Sequence, residues 1–368
     1  DSSVIGTSMG IPMLASSCPG FVCYAEKSFG EFIIPFIATT KSPQQIMGSI
    51  VKQYMCEQNV LSLKSNSNGN DKGGDESTQT KQTISPSQIY HVSIMPCFDK
   101  KLEASRDDFM IETNADTSAE TSKIKEVDIV LTSSELVQIL KSQFGIENRE
   151  QFMNMGQGAM DQSSHESYAG LDTPLVTLSD EERALLSHGI LDSMESGGYT
   201  EVLFRFAAKK FFGVHLPAQV PLSYKMGRNS DFKEVSLEIE DVQKQKRTVM
   251  KFAVANGFRN IQNVIRKLKS SRCDYDFIEV MACPSGCVNG GGQNTAPESV
   301  APRDFLQAVK TLYRDTLVDG ERLTQTTLKQ FYEKWIGGDA FSDRAKSKLH
   351  TQYHARQQVQ INPLTIQW

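Results

Sequence analysis

The chain has 368 residues, with 39 Lys plus Arg against 44 Asp plus Glu for a formal charge of −5, and 39% hydrophobic residues. This is the composition of a globular protein long enough for about two domains of roughly 100 to 200 residues each. The acidic excess argues against a surface that tracks nucleic-acid phosphates, and the longest apolar run, 32–38, is far short of the roughly 20 residues that span a bilayer, so neither nucleic acid nor membrane is expected as a partner.

Residues 1–20 hold no basic start followed by an apolar core, so no signal peptide is read. The chain opens at Asp1 and turns strand-like almost at once, and an N-terminal part is expected to precede it. Residues 11–15 form a strand that empties into Cys18-Pro19-Gly20, followed by a helix from Phe21. Ser42-Pro43 opens a helix to Tyr54, with Ser as N-cap and Pro at the first helical position, where its missing N–H costs nothing. Residues 64–83 hold no apolar side chain and cannot offset their ordering entropy by burial, so a disordered insertion is expected over about 62–86. Residues 89–95 make a strand ending at Pro96-Cys97, and 127–131 another, with 132–134 capping a helix through Phe144. The polar stretch 148–173 reads as a long loop.

Farther on, 199–212 is an amphipathic helix stopped by Gly213. Residues 234–239 and 248–254 are two antiparallel strands around a charged turn, 258–268 a helix and 277–281 a strand. Beyond Pro302 come helices at about 303–318, 324–336 and 342–356. Strand alternating with helix is the pattern of an α/β fold with parallel strands, divided here into 1–130, 131–300 and a helical 301–368.

Seven cysteines stand at 18, 23, 56, 97, 273, 283 and 287. An odd number without a secretory signal fits a reducing compartment, cytosol or nucleus. Three strand-like runs, 11–15, 89–95 and 277–281, each empty into a loop that carries cysteine beside Pro or Gly. Ligands of α/β folds gather at the carboxyl ends of strands, so these loops can converge. Cys18, Cys97, Cys283 and Cys287 would then supply four thiolates, the usual ligand set of a 4Fe-4S cluster, while Gly286, Gly290, Gly291 and Gly292 let backbone N–H groups face sulfur. Plainer readings stand beside this one. A lone Cys is usually a small buried hydrophobe, the reading taken for Cys23, Cys56 and Cys273. Structural zinc is an alternative, though no C-x2-C knuckle occurs, and so is a phosphate loop, though the glycine run lacks the Lys-Ser/Thr that completes one.

Ser17-Cys18-Pro19-Gly20-Phe21, Met95-Pro96-Cys97-Phe98-Asp99-Lys100-Lys101-Leu102-Glu103 and the run from Glu279 to Gln293 resemble, in order, the three signature motifs of the iron-only hydrogenase superfamily. Lys41-Ser42-Pro43-Gln44-Gln45 is a further shared stretch. The resemblance implies two α/β lobes with parallel sheets flanked by helices, an iron-sulfur cluster in the cleft between them and a helical C-terminal tail. Within the superfamily the chain is most similar to the eukaryotic hydrogenase-like branch of cytosolic iron-sulfur assembly factors, the prelamin A recognition factor-like group. The stretches that carry this are 18–27, 99–106, 257–263 and 350–354.

That branch implies a 4Fe-4S cluster on Cys18, Cys97, Cys283 and Cys287, with Lys100 and Gly290, Gly291 and Gly292 around it. Met95 and Met281 bracket the place where hydrogenases hold their diiron unit. It also implies no catalysis. Hydrogenases carry a proton-donating cysteine where this chain has Ser17, and a hydroxyl is a far weaker acid than a thiol. A second cluster is expected on the preceding N-terminal part, because its C-x2-C-x2-C run is not found here. The implied role is an adaptor between upstream scaffold proteins and the cytosolic iron-sulfur targeting complex, in the cytoplasm and with the nucleus as a second place. A prelamin-binding protein and an active hydrogenase are the contrasting readings. Trp368 is by chemistry either an anchor for a partner pocket or a residue folded back on its own protein; the resemblance favours the anchor, on the targeting complex. His350 and His354 stand i, i+4 on the expected last helix, but without an H-E-x-x-H glutamate they read as packing or surface residues.

Overall fold

The computed structural model describes residues 11–57, 62–63, 82–114, 121–148, 151, 197–217, 220–240, 245–316 and 332–356. Strand β1 (Met13–Ala15) leads through the cysteine turn into α1 (Pro19–Ser28). Helix α2 (Pro43–Ser49) starts where expected: the Ser42 hydroxyl accepts the Gln45 N–H, and the chain stays helical through a π turn at Ile50–Tyr54 to Glu57. Then follow β2 (Val92–Met95), α3 (Asp99–Ala104), β3 (Met110–Asn114), β4 (Thr121–Lys125) and β5 (Ile129–Thr132). Helix α4 (Ser133–Phe144) opens on a reciprocal cap between Thr132 and Glu135 and stops at Gly145, which has φ 63°. Helix α5 (Tyr199–Phe212) ends at Gly213 in the same left-handed conformation. Strands β6 (Lys225–Met226), β7 (Phe232–Glu240) and β8 (Lys246–Asn256), helix α6 (Phe258–Lys269), strand β9 (Phe277–Met281) and helices α7 (Pro302–Thr316) and α8 (Asp343–Leu349) complete the described elements.

The main sheet runs β1-β9-β8-β7-β6. Both neighbours of β9 are parallel to it, with Leu14 opposite Ile278 and Ala253 opposite Ile278 on the other side, while β8 and β7 are antiparallel. All five residues of β9 are buried, which is why its sequence reads as an unbroken run rather than an alternation. One face of the sheet packs Leu14, Ile278 and Val280 against Phe21 of α1 and Ile261, Val264 and Ile265 of α6. The other packs Ala15, Phe252 and Phe277 against Phe204 and Ala208 of α5. Strands β2 and β5 pair in parallel as a separate two-stranded sheet, with α4 against both. A third core joins Tyr54 and Met55 to the fully buried Trp335 and to Ala345. The main sheet thus joins β1, from the first expected segment, to β9, from the second.

Two expectations change. The helix expected over 342–356 ends at Leu349, and the following backbone is drawn out beside 39–41: Lys41 N–H donates to Leu349 O, and Thr351 N–H to Thr39 O. Farther along, the His354 N–H reaches the buried Glu26 carboxylate. Tertiary partners for these donors override the helical periodicity. The expected insertion is bounded by structure at both ends, since Ser62–Leu63 pairs with Gln82–Thr83 and Ile84 is buried; its middle lies outside the described residues, as do nearly all of 148–173 and Trp368. Among the described residues no helix is long and apolar enough to cross a membrane.

Candidate metal centre

Because β1 and β9 are parallel neighbours, the loops after them leave the same edge of the sheet. Cys18 follows β1 at the start of α1, and its buried sulfur accepts the N–H of Ala282, just past β9. Ser16 fixes this approach: its hydroxyl donates to Val280 O at 2.6 Å and accepts the Cys18 N–H at 3.1 Å. The loop after β2, with Cys97, belongs to the other sheet and is joined to the glycine run by close backbone packing. Gly292 N–H donates to Pro96 O, and Gly292 O accepts from Ser134 at the start of α4. A Cβ at Gly290 would overlap the Pro96 carbonyl, and one at Gly292 would lie 2.9 Å from Cys97 N and 2.7 Å from Thr132 Cγ2. Gly291 has only Phe98 nearby, at 3.9 Å. Two of the three expected glycines therefore hold the second and third cysteine loops together.

The electrostatics of Cys97, Cys283 and Cys287 register neighbouring cysteines. Burial pushes the Cys283 thiol up to about 11, with the charges of Cys18 and Cys97 adding and a Gly291 N–H opposing. Burial raises Cys287 to about 12, with Cys18, Cys283 and Cys97 adding and Lys100 opposing. Cys97 is raised by burial against N–H donors from Lys100 and Asp99. Cys287 senses the other three cysteines, Cys283 senses Cys18 and Cys97, and Cys97 senses Cys18, and those N–H groups already point at sulfur, as they do around thiolate-held clusters. Among the described residues no three His, Cys, Asp or Glu side chains converge to hold a single metal ion.

Around them, Lys100 is buried with its ammonium 2.9 Å from Glu103, whose other oxygen accepts from Ser42. Met281 is buried in the main core, its sulfur 3.7 Å from Cys287 Sγ. Met95 packs instead against Ala104, Val127 and Val130. Ser17 lines a cavity of about 900 Å³ between α1, α3 and the 351–356 segment, shared with Cys23, Glu26 and Arg106. Cys56 lies in the Trp335 core and Cys273 packs against the main one. The two histidines point apart, His350 to Thr39 and His354 to Asp108.

Sequence reasoning missed the buried polar layer beneath the site. Lys41 pairs with Glu126 and Ser49, Lys52 with Asp128, and Glu26 with Arg106. Gln44 and Gln45 are buried with side-chain amide atoms that have no partner among the described residues. The Lys41 to Gln45 motif was the only signal for any of this. Glu279, central in β9, caps α5 by accepting the Tyr199 and Thr200 N–H groups.

Comparison with known proteins adds the following. The model of the family described as iron only hydrogenase large subunit, C-terminal domain, matches residues 4–66 and 76–291. Over 365 residues the chain is 40% identical to the probable cytosolic Fe-S cluster assembly factor narfl of Dictyostelium discoideum, which covers 97% of this chain and 62% of that protein. It is 39% identical over 358 residues to cytosolic iron-sulfur assembly component 3 of Rattus norvegicus, covering 97% and 62%, and to the cytosolic Fe-S cluster assembly factor narfl of Danio rerio, covering 97% and 72%. The chain thus spans about three fifths of the length of the first two relatives. Among solved structures it is similar to the apo FeFe-hydrogenase of Chlamydomonas reinhardtii, with a TM-score of 0.63 and 26% identity over 94% of this chain and 76% of that one.

Proposed function

The chain belongs to the family of the iron-only hydrogenase large subunit, C-terminal domain, and on that premise we propose that it is a 4Fe-4S-binding component of the cytosolic iron-sulfur protein assembly machinery. In this reading it is an adaptor between an upstream scaffold and the targeting complex that serves cytosolic and nuclear apoproteins. The observation that carries it is the close approach of the three cysteine loops: the Ala282 N–H donates to Cys18 Sγ, and Gly290 and Gly292 pack against Pro96 and Cys97. Relatives named as assembly factors at about 40% identity support the role.

The four cysteines would hold the cluster, and a bound cluster would supply one-electron redox chemistry and an iron-sulfur unit. The protein's part is to gather these thiols, and since burial favours the protonated form of Cys97, Cys283 and Cys287, loading must expel their protons. Gly290 and Gly292 fix the distance between loops, and the Lys100 ammonium, steadied by Glu103, offsets negative charge near Cys287. Gly291 turns its N–H to Cys283. Met281 stands beside Cys287, and Met95 lies on the other sheet. Ser17 supplies no acid strong enough to relay protons near neutral pH, so hydrogen turnover is not part of the proposal. A second cluster on a preceding segment, Trp368 as the anchor on the targeting complex and residence in the cytoplasm and nucleus complete the reading.

The test is anaerobic reconstitution of the full chain with iron and sulfide, followed by visible and electron-paramagnetic-resonance spectra and iron counting. About four irons per chain with a cubane spectrum supports the proposal. Iron that persists after all four cysteines are replaced by Ala overturns it. Loss of capture by the targeting complex in Trp368→Ala, at unchanged iron content, supports the anchor.

A further inference from the structure

The outward face of α6 lies far from any role given to it so far, although residues 257–263 stand out in the sequence. We propose that this face is a docking groove for an extended acidic segment of a partner protein. It forms an open cavity of about 1040 Å³ whose wall carries Arg228, Arg259, Arg266, Lys267 and Arg272 and no Asp or Glu. That is a dense cluster of cations in a chain whose formal charge is −5. Among the described residues none of the four arginines has an ion pair, and Lys267 has only Asp274 at 4.0 Å, a carboxylate that lies closer to Lys251, at 2.8 Å. Elsewhere Arg106 and Arg205 are held by Glu26 and Glu201.

The fold needs few of these charges. Helix α6 is held by its opposite face, through Ile261, Val264, Ile265 and Leu268. Lys267 lies over the Tyr275 ring and Arg266 stands in the last turn, where the dipole favours a cation, but a cluster of five like charges still costs stability through repulsion. What the fold does supply is a fixed floor. Asn260 is buried, its amide donating to Asn256 O at 2.8 Å and exchanging hydrogen bonds with Asn229. The turn that carries Arg228 is thereby pinned to α6.

Guanidinium forks match carboxylate or phosphate oxygens, and three features select a peptide. The wall offers no exposed ring for a base to stack on: Phe232 is half-buried with its ring against Tyr275. Asp231, beside Asn229, and Asp274, beside Lys267, flank the cations, so a long phosphate backbone running past would meet carboxylates. The spacing also fits: Arg259 and Arg266 are about 10 Å apart along the helix axis at 1.5 Å per residue, close to three residues of an extended polyproline-type segment, whose side chains at i and i+3 point the same way.

The experiment titrates the full chain against a fluorescent oligoglutamate peptide by anisotropy at low and high salt, with a Gly-Ser peptide as blank. The expected result is salt-sensitive binding that Arg259→Glu with Arg266→Glu weakens at least tenfold, while Lys209→Glu with Lys210→Glu, on exposed residues of α5, leaves it unchanged. Arg228→Gln with Arg272→Gln, a milder pair, should weaken it severalfold. Absence of binding at low salt, equal losses in the α5 and α6 variants, or tighter binding of a single-stranded oligonucleotide through the same arginines overturns the proposal. Iron content and spectrum should be unchanged in every variant, which separates this test from that of the cluster.

Discussion

The cysteine loops and the outer face of α6 both gather groups of like kind, but one does so at buried and half-buried positions and the other in water. At Cys97, Cys283 and Cys287 burial is the first cause of the upward shift, and the charges of neighbouring cysteines add to it, reaching about 12 at Cys287. The arginines of α6 are exposed and separated by solvent, where charges 10 Å apart interact by well under 1 kcal/mol. Cys97, Cys283 and Cys287 are therefore biased toward the neutral thiol, and a bound metal group would have to displace their protons. The exterior cluster stays charged and open to reversible partners. On these proposals the same grouping of like side chains would suit a lasting ligand in one place and a transient, salt-sensitive one in the other.

The largest effect expected from this contrast is loss of all bound iron in Cys97→Ala or Cys283→Ala, against unchanged iron in Cys23→Ala or Cys273→Ala. Thiols of both sets are raised by burial, so burial alone cannot separate them. Iron counting after anaerobic reconstitution decides it, and equal loss in both sets breaks the four-ligand assignment.

A buried charge that already has its counter-charge sharpens the comparison. Glu26 is buried, and the penalty of burial on its carboxylate is outweighed by the Arg106 guanidinium and the His354 N–H, so its pKa is held below the usual carboxylate range. Arg106→Gln leaves that charge unpaired and should cost about 3–5 kcal/mol at neutral pH by denaturant unfolding. Because the folded pKa is depressed, the stabilisation is present above the unfolded value near 4.3 and is lost as pH falls through the folded one. The gap between variant and parent should accordingly narrow below about pH 4.

Glycine replacements probe how tightly the buried loops meet. Gly290→Ala drives a Cβ into the Pro96 carbonyl and should cost about 1–3 kcal/mol, whereas Gly291→Ala meets nothing closer than 3.9 Å and should stay within about 0.5 kcal/mol. Equal destabilisation of the two would mean that the loops are not joined at Gly290.

Much of this was legible in the sequence because it is local. The strands at 13–15 and 277–281, the Ser42 cap and helix α5 follow from apolar runs, cap residues and Gly213. The cysteine loops were legible because each thiol stands beside Pro or Gly at a strand end. The pairing of β1 with β9 was not, since a three-residue strand carries no register signal across more than 260 residues. The end of α8 at Leu349 was hidden for a related reason: the donors of 350–356 find partners on 39 and Glu26, which no local pattern encodes. Buried Lys41, Lys52 and Glu26 look in sequence like surface charges, and only their partners reveal them. On α6 the basic residues were plain, but their union with Arg228 and Arg272 depends on the turn that Asn229 ties down.

The smallest effect expected is on the exposed side. Arg259→Gln with Arg266→Gln removes two cations that have no ion-pair partner among the described residues and contribute nothing to the apolar face of α6. Relief of repulsion from Arg228, Lys267 and Arg272 should then raise stability at low salt, by no more than about 0.5 kcal/mol, as expected for exposed charges. Partly offsetting this, Arg266 lies in the last helical turn, where a cation is favoured by the helix dipole. Both contributions are screened with a Debye length of about 10 Å at 0.1 M salt and about 3 Å at 1 M, so the difference should vanish in high salt. Thermal melts of variant and parent across a salt series measure this. A loss of 2 kcal/mol or more at every salt concentration would mean that the arginines are structural, and that the interior and exterior clusters differ less than their burial implies.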